Sequence, residues 1–300
     1  MASPPLKGKE VFMIEIVEYA DVTQIKLSRE LDGKPLYWVA AYLVDGILID
    51  TGCDYTAAEL VAFLKGKKLD LVVNTHFHED HVGGNAQIQK QFQVSIYAPP
   101  DSIPIIGRKP FLYPYQEMVW GYPAPSTAKP IPPFIRTDHH TFDVLATPGH
   151  SVGHIVLLEK ETGWCFSGDM FARENPKFIR PEEDMGETIH SLEQILAAMP
   201  PRFTLFTSIG KIVEHGRGAL EENIRYLQEL AAKAQELHKQ GYSVAEIIQD
   251  IFGGEHLFAQ MTDGQYTTEN LVRSVLKITD TAIPSPFRGI GPEGKISGRS

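Results

Sequence analysis

Cysteine is nearly absent: Cys53 and Cys165 are the only two in 300 residues. Two thiols cannot build the multi-bridge scaffold of a small secreted protein, and a reducing compartment is the default for such a chain. Long apolar runs are missing as well, and none approaches the ~18–20 residues that span a bilayer. The opening residues, Met1-Ala-Ser-Pro-Pro-Leu-Lys-Gly8, lack the apolar middle of a secretory signal. Both absences predict a cytoplasmic protein with no membrane partner. Positive charge is scarce too, with 28 Lys and Arg against 38 Asp and Glu and a net charge of −10. That balance argues against nucleic acid as the partner and favours a small molecule. What is present is ordinary for a globular chain, with 43% apolar residues, enough for a sizeable core.

Strand-like runs occupy residues 11–18, 21–28, 37–44 and 46–50. The last two join at Asp45-Gly46, where glycine accepts the positive φ of a tight turn. Thr56-Ala-Ala-Glu59 has the spacing of a capping box and predicts a helix to about residue 65. Residues 69–75 form a short apolar run of the kind buried in a sheet. A helix is predicted from Asn85 and a strand near 94–97. Residues 98–136 mix prolines with aromatics and show no clear period, so they read as one long loop. Strands are predicted again at 142–146, 154–159 and 164–167. A helix over 187–199 stops at Pro200-Pro201, and 204–207 is the last strand expected. From Ala219 the pattern is helical to Gln240, followed by a second capping box, Ser243-Val-Ala-Glu246, and a helix over 268–276. The chain therefore divides into a mixed α/β unit at 1–215, a helical extension at 216–282 and a flexible tail at 283–300.

The informative stretch is Thr75-His76-Phe77-His78-Glu79-Asp80-His81-Val82-Gly83-Gly84, placed where a buried strand ends. Residues two apart in an extended segment face the same way, so His76 and His78 can grip one ion together. Asp80 and His81 lie beyond, where the chain turns, and can face a second ion. A single histidine is usually an ordinary polar residue, but three with an aspartate inside six residues are hard to explain by packing. His150, in Thr147-Pro-Gly-His150, and Asp169, in Ser167-Gly-Asp169, also follow strands. Imidazole nitrogen with carboxylate oxygen suits zinc, and iron or manganese can use the same donors.

His76-Phe-His-Glu-Asp80-His81 resembles the His-x-His-x-Asp-His signature of the metallo-β-lactamase-fold hydrolase superfamily. Asp50-Thr51-Gly52 resembles its early Asp-Thr-Gly turn, Thr147-Pro-Gly-His150 its third-histidine motif, and Gly168-Asp169 its bridging aspartate. The resemblance runs from about residue 20 to 215. It implies an α/β, four-layer αββα sandwich with metals at one edge of two sheets, followed here by a C-terminal helical appendage. It also implies His76, His78 and His150 on a first metal, Asp80 and His81 on a second, Asp169 between them, and Asp50 orienting a ligand. One departure stands out. The family closes its second site with a histidine after the last core strand, and Thr207-Ser-Ile-Gly210 puts Ile209 at that position. The second site is then weakened, and His215 becomes a downstream residue rather than the missing ligand.

A cation in such a site lowers the pKa of a bound water from 15.7 to about 7. Asp80 is the expected catalytic group, orienting that water or shuttling its proton. The resulting expectation is a metal-dependent hydrolase, zinc-dependent with one or two ions, acting on a small ester, thioester, lactone or phosphodiester. A mononuclear-iron persulfide dioxygenase-like oxidoreductase and a non-catalytic metal-binding protein are the alternatives. Tyr113, Tyr115, Trp120 and Tyr122, in the stretch 106–125, either wall an apolar substrate pocket or pack an insertion onto the core. His154 is expected to be structural, His139-His140 surface, Cys53 a small buried residue, and Lys177 and Arg180 solvated. The C-terminal helices are expected to wall the pocket or to form a homodimer contact.

Overall fold

The computed structural model describes residues 12–277, so the predicted tail at 283–300 lies outside the described residues. Strand residues alternate sides, and that period sorts the apolar residues into two layers. In Val39–Val44 all six side chains are buried. Ala40, Tyr42 and Val44 face one apolar cluster, while Val39, Ala41 and Leu43 face another. Ile155–Glu159 does the same, with Ile155 and Leu157 to one side and Val156 and Leu158 to the other.

Such two-sided burial requires a covered sheet. Among the described residues the first sheet has eight strands. Its antiparallel half holds Phe12–Tyr19, Val22–Leu31, Val39–Val44 and Ile47–Ile49, with Lys34–Pro35 beside the second of these. Leu71–Val73, Ser95–Ala98 and Ala128–Pro130 extend it in parallel. The second sheet runs in chain order through Phe134–Arg136, Thr141–Ala146, Ile155–Glu159, Trp164–Gly168, Thr204–Thr207 and Ile212–Val213. The sheets meet at a core that includes Tyr42, Val73, Phe142, Phe166 and Phe206, the last two rings stacked at 4.8 Å. Helices Ala57–Leu64 and Asn85–Phe92 cover the first sheet through Leu60, Leu64 and Ile88. Met185–Ala198 and the start of Gly216–Lys239 cover the second through Leu192, Ile195, Leu220 and Ile224. The order of layers is helix, sheet, sheet, helix, as expected.

The rest of Gly216–Lys239 packs with Val244–Phe252 and Thr268–Val275 into a further apolar cluster with Ile179 and Met185. The division at residue 215 thus falls just before a helix whose first half belongs to the sandwich. No helix among the described residues is long and apolar enough to cross a membrane.

Several expectations need correction. Residues 98–136 are not one loop; they hold helices Ile103–Ile106 and Pro114–Trp120 and strands Ala128–Pro130 and Phe134–Arg136. Their prolines hide the pattern because two sit in helix first turns, where a missing N–H costs nothing. Thr56 does not cap its helix: its hydroxyl donates to Cys53 O within the preceding turn. Ser243 forms its capping box with Glu246. A short strand, Ile212–Val213, follows the one expected to be last. His140 is buried beside Trp164 rather than on the surface.

Replacing Phe166 by Ala removes a ring fully buried between the sheets. The expected destabilisation is about 3–5 kcal/mol, read from the denaturant midpoint. A loss below about 1 kcal/mol would show that the two sheets do not share this core.

Candidate metal centre

Asp50, His76, His78, His150 and Asp169 lie beyond strand ends that meet at one edge of the sandwich, and Asp80 and His81 follow in the helix Glu79–Val82. Ile47–Ile49 delivers Asp50, Leu71–Val73 leads to His76 and His78, Thr141–Ala146 to His150, and Trp164–Gly168 to Asp169. One ligand atom from each of His76, His78, His150 and Asp169 falls within 4.8 Å of all the others. His78 Nδ1 is 3.0 Å from His76 Nε2 and 2.9 Å from His150 Nε2. Asp169 reaches His150 Nε2 with one oxygen at 3.2 Å and His81 Nε2 with the other at 3.2 Å. Asp80 lies beside this second group, 3.9 Å from His81 Nε2.

The far nitrogens of these rings fix their orientation. Thr75 Oγ1 is 3.0 Å from His76 Nδ1, Asp50 Oδ2 is 2.7 Å from His81 Nδ1, and Glu183 Oε2 is 3.1 Å from His150 Nδ1. An oxygen partner on one nitrogen fixes the tautomer and leaves the other lone pair free for a cation. Asp50 does more, because its carboxylate also accepts from Thr75 N and Thr75 Oγ1, each at 2.8 Å. It does so at φ +59°, a strained position for a residue with a Cβ. Glu79–Val82 is a four-residue helix that presses on the Asp50 turn, and Gly83 permits the contact. A Cβ there would sit 2.3 Å from Asp54 N and Cys53 C.

Electrostatics divide the histidines. Burial, reinforced by neighbouring histidines, holds His76 well below the usual range; burial with the Arg180 charge does so for His78. Both are neutral imidazoles with lone pairs to give. Burial also lowers His81, but Asp50, Asp169 and Asp80 outweigh it and raise that ring well above its usual value. For Asp80, burial dominates and pushes the carboxyl up to about 7. Asp169 is held well below the usual carboxylate range, because His81 and His150 overcome the opposing effect of burial. His154 is not part of the cluster. Its Nε2 accepts from Asp169 N at 3.2 Å and its Nδ1 meets Thr147 Oγ1 at 2.8 Å. Burial and the nearby histidines lower it to about 3, so it stays the acceptor that seats Asp169.

The donor set fits a divalent cation. Three imidazole nitrogens and a carboxylate converge on one another, and the same carboxylate is shared with the buried His81 Nε2. Around the second position no further imidazole arrives. The Ser208 hydroxyl lies beside the Asp169 carboxylate and is otherwise unpartnered. That is one residue earlier than Ile209, the position suggested by the motif, and Ile209 is half-buried. His215 cannot substitute. The strand Ile212–Val213 runs back antiparallel to Thr204–Thr207, and Gly216 N bonds Phe203 O at the opposite end of the strand.

Some neighbouring residues were not legible as site residues. Tyr37 and Arg173 border the cleft that contains His150 and Asp169, together with Glu183 and Tyr266. Arg180 is buried rather than solvated, with Nε donating to Tyr266 Oη at 2.9 Å and a terminal nitrogen 3.2 Å from Glu79 Oε1. Glu79 also accepts from Gln116 at 2.7 Å. Lys177 is exposed. Tyr113 and Tyr115 border a second cleft beside His78. Trp120 instead packs in the outer apolar layer against Tyr37 and Tyr115, and Tyr122 lies under the Lys109 ammonium. Cys53 is buried.

A family model described as the metallo-beta-lactamase superfamily matches residues 39–204. The chain is 31% identical over 198 residues to the Beta-lactamase-like protein 2 homolog of Drosophila melanogaster, covering 60% of each. It is 29% identical over 129 residues to the Hydroxyacylglutathione hydrolase of Bdellovibrio bacteriovorus, covering 41% of this chain and 43% of that one. It thus spans less than two thirds of either relative. A solved metallo-beta-lactamase family protein from Thermus thermophilus has the same fold, with a TM-score of 0.58 at 15% identity over 88% of this chain and 90% of that one.

Replacing Asp50 by Asn removes the charge that orients His81. The expected result is a 10–100-fold loss of zinc affinity by equilibrium dialysis, with His215→Ala unchanged. Equal affinities for Asp50→Asn and the parent would reduce the Asp50 contact to packing.

Proposed function

The chain belongs to the metallo-β-lactamase superfamily, and from that membership and the cluster at its sheet ends we propose a zinc-dependent hydrolase of a small ester, thioester, lactone or phosphodiester. The observation that carries this reading is the convergence of His76, His78, His150 and Asp169, with ligand atoms within 4.8 Å of one another. His76 Nε2, His78 Nδ1, His150 Nε2 and Asp169 would hold one cation. His81 Nε2, Asp80 and Asp169 would hold a second more weakly, since Ser208 and Ile209 offer no imidazole. A zinc ion bound there supplies a water acidic enough to attack near neutral pH.

The remaining work falls to the chain's own side chains. Asp80, buried beside Asp169 and His81, orients the attacking water and takes its proton at a carboxylate oxygen. Tyr37 borders the cleft that contains His150 and Asp169, and Arg173 hydrogen-bonds its phenol. Burial, with help from Asp169, pushes that phenol up to about 12, so it remains a donor at neutral pH. Tyr37 donates to the oxyanion that forms as water adds to the carbonyl. Tyr266, from the C-terminal unit, closes the same cleft, consistent with those helices serving as its far wall.

One observation favours a second reading. The absence of an imidazole at Ser208 suits a single-metal site, as in the iron-dependent persulfide dioxygenase branch. Metal analysis separates the two. One iron per chain with oxygen consumption on a persulfide would replace the hydrolase reading.

Zinc-loaded protein should cleave at least one member of an ester, thioester, lactone and phosphodiester panel and lose that activity on chelation. Silence across the panel at full zinc occupancy would sink the hydrolase proposal. Tyr37→Phe should lower kcat on the order of 100-fold with metal content unchanged. A loss of bound metal in that variant would reassign Tyr37 to holding the fold of the site.

A further inference from the structure

His78 is shared between the metal cluster and a second cleft on its other side. The inner wall of that cleft is Phe77, Val82, Ile105, Ile106 and Leu112, all buried, and Phe111 borders it at 63% exposure. Phe77, Val82, Ile105 and Ile106 form an apolar cluster of their own with Ala98, outside the two sheet cores. The residues around 103–113 thus build a wall that the sandwich itself does not require.

The polar groups of the cleft are largely committed elsewhere. Arg180 has Tyr266 and Glu79 as hydrogen-bond partners and Glu182 at 4.0 Å. Two carboxylates balance its one charge, so it offers no net positive charge to a phosphate. Arg108 borders the cleft but is exposed, where water screens it. Two buried polar atoms are left over, the Tyr115 hydroxyl and one on His78. His78, 3% exposed, lines the cleft, and its Nε2 has no hydrogen-bond partner. Apolar walls with a few placed polar groups are the usual form of a small-molecule subsite.

We propose that this cleft receives the apolar arm of the substrate, a chain or ring of several carbons attached to the scissile ester or thioester, with the carbonyl at the His78 end. The assignment rests on the hydrolase reading for the reaction, though not for the binding. Water adds to the carbonyl carbon, the bond to the leaving oxygen or sulfur breaks, and the leaving group departs with a proton. The arm belongs either to the acyl side or to the alcohol side, and the cleft selects against compact polar substrates and phosphodiesters.

Two ester series with zinc-loaded full chain distinguish the sides: ethyl alkanoates from acetate to octanoate, and alkyl acetates from methyl to octyl. On one side kcat/KM should rise roughly threefold per methylene until the cleft is filled. Binding is read independently with unhydrolysable methyl ketones from butanone to decanone by titration calorimetry, and affinity should climb with length. Ile106→Trp fills the cleft and should lower the octanoate-to-acetate or octyl-to-methyl ratio at least tenfold and flatten the ketone series. Phe111→Ala, at an exposed position, should weaken the longest ketones several-fold with the melting temperature unchanged. Ketone affinity that is flat with length in the parent protein overturns the proposal, whatever the esterase result. Ketone affinity that climbs, and flattens in Ile106→Trp, upholds it even if no ester is cleaved, in which case only the hydrolase reading falls.

Discussion

The Asp50 carboxylate is the contact on which the geometry of the centre depends. It joins the end of one strand to the Thr75 backbone at the end of the next and fixes the His81 ring with the same group. A buried carboxylate is costly unless every lone pair is used, and here the partners that satisfy it are the ones that need orienting. Its left-handed backbone is the strain accepted for that position. Thr75, His150 and His154 repeat the device on a smaller scale, each joining a side chain from one strand end to a partner from another.

The candidate metal-binding segment was legible because its chemistry is local. Three histidines and an aspartate within six residues, ahead of Gly83-Gly84, have few packing explanations, and Gly83 does lie where a side chain would strike the Asp50 turn. The two-layer apolar sorting was also readable in outline, since strands announce themselves by period. What the sequence hid depends on contacts distant along the chain. Glu183, which orients His150, lies 33 residues beyond it in an irregular segment, and nothing in its spacing marks it. Arg180 reads as a surface cation until Glu79, 101 residues earlier, is seen to meet it in the interior. Residues 98–136 concealed two helices because prolines at helix starts look the same as prolines in loops. After Thr207, only the fold shows that the Ser208 side chain is the one beside Asp169.

Two clefts flank the cluster, and much of their walls comes from segments outside the two sheets. Residues 103–123 and 180–182 build one, while 172–188 and the C-terminal unit build the other. Arg180 ties them together, since Glu79 belongs to the histidine-rich segment and Tyr266 to the C-terminal unit. A shared frame with separately built walls is how one fold serves many reactions.

The most direct measurement is anomalous diffraction at the zinc edge from crystals grown with zinc. This account predicts a peak bounded by His76 Nε2, His78 Nδ1, His150 Nε2 and Asp169, with little or no density at the Asp80–His81 position. Zinc scattering found only elsewhere on the protein, with those four side chains keeping their hydrogen bonds to one another, would contradict it.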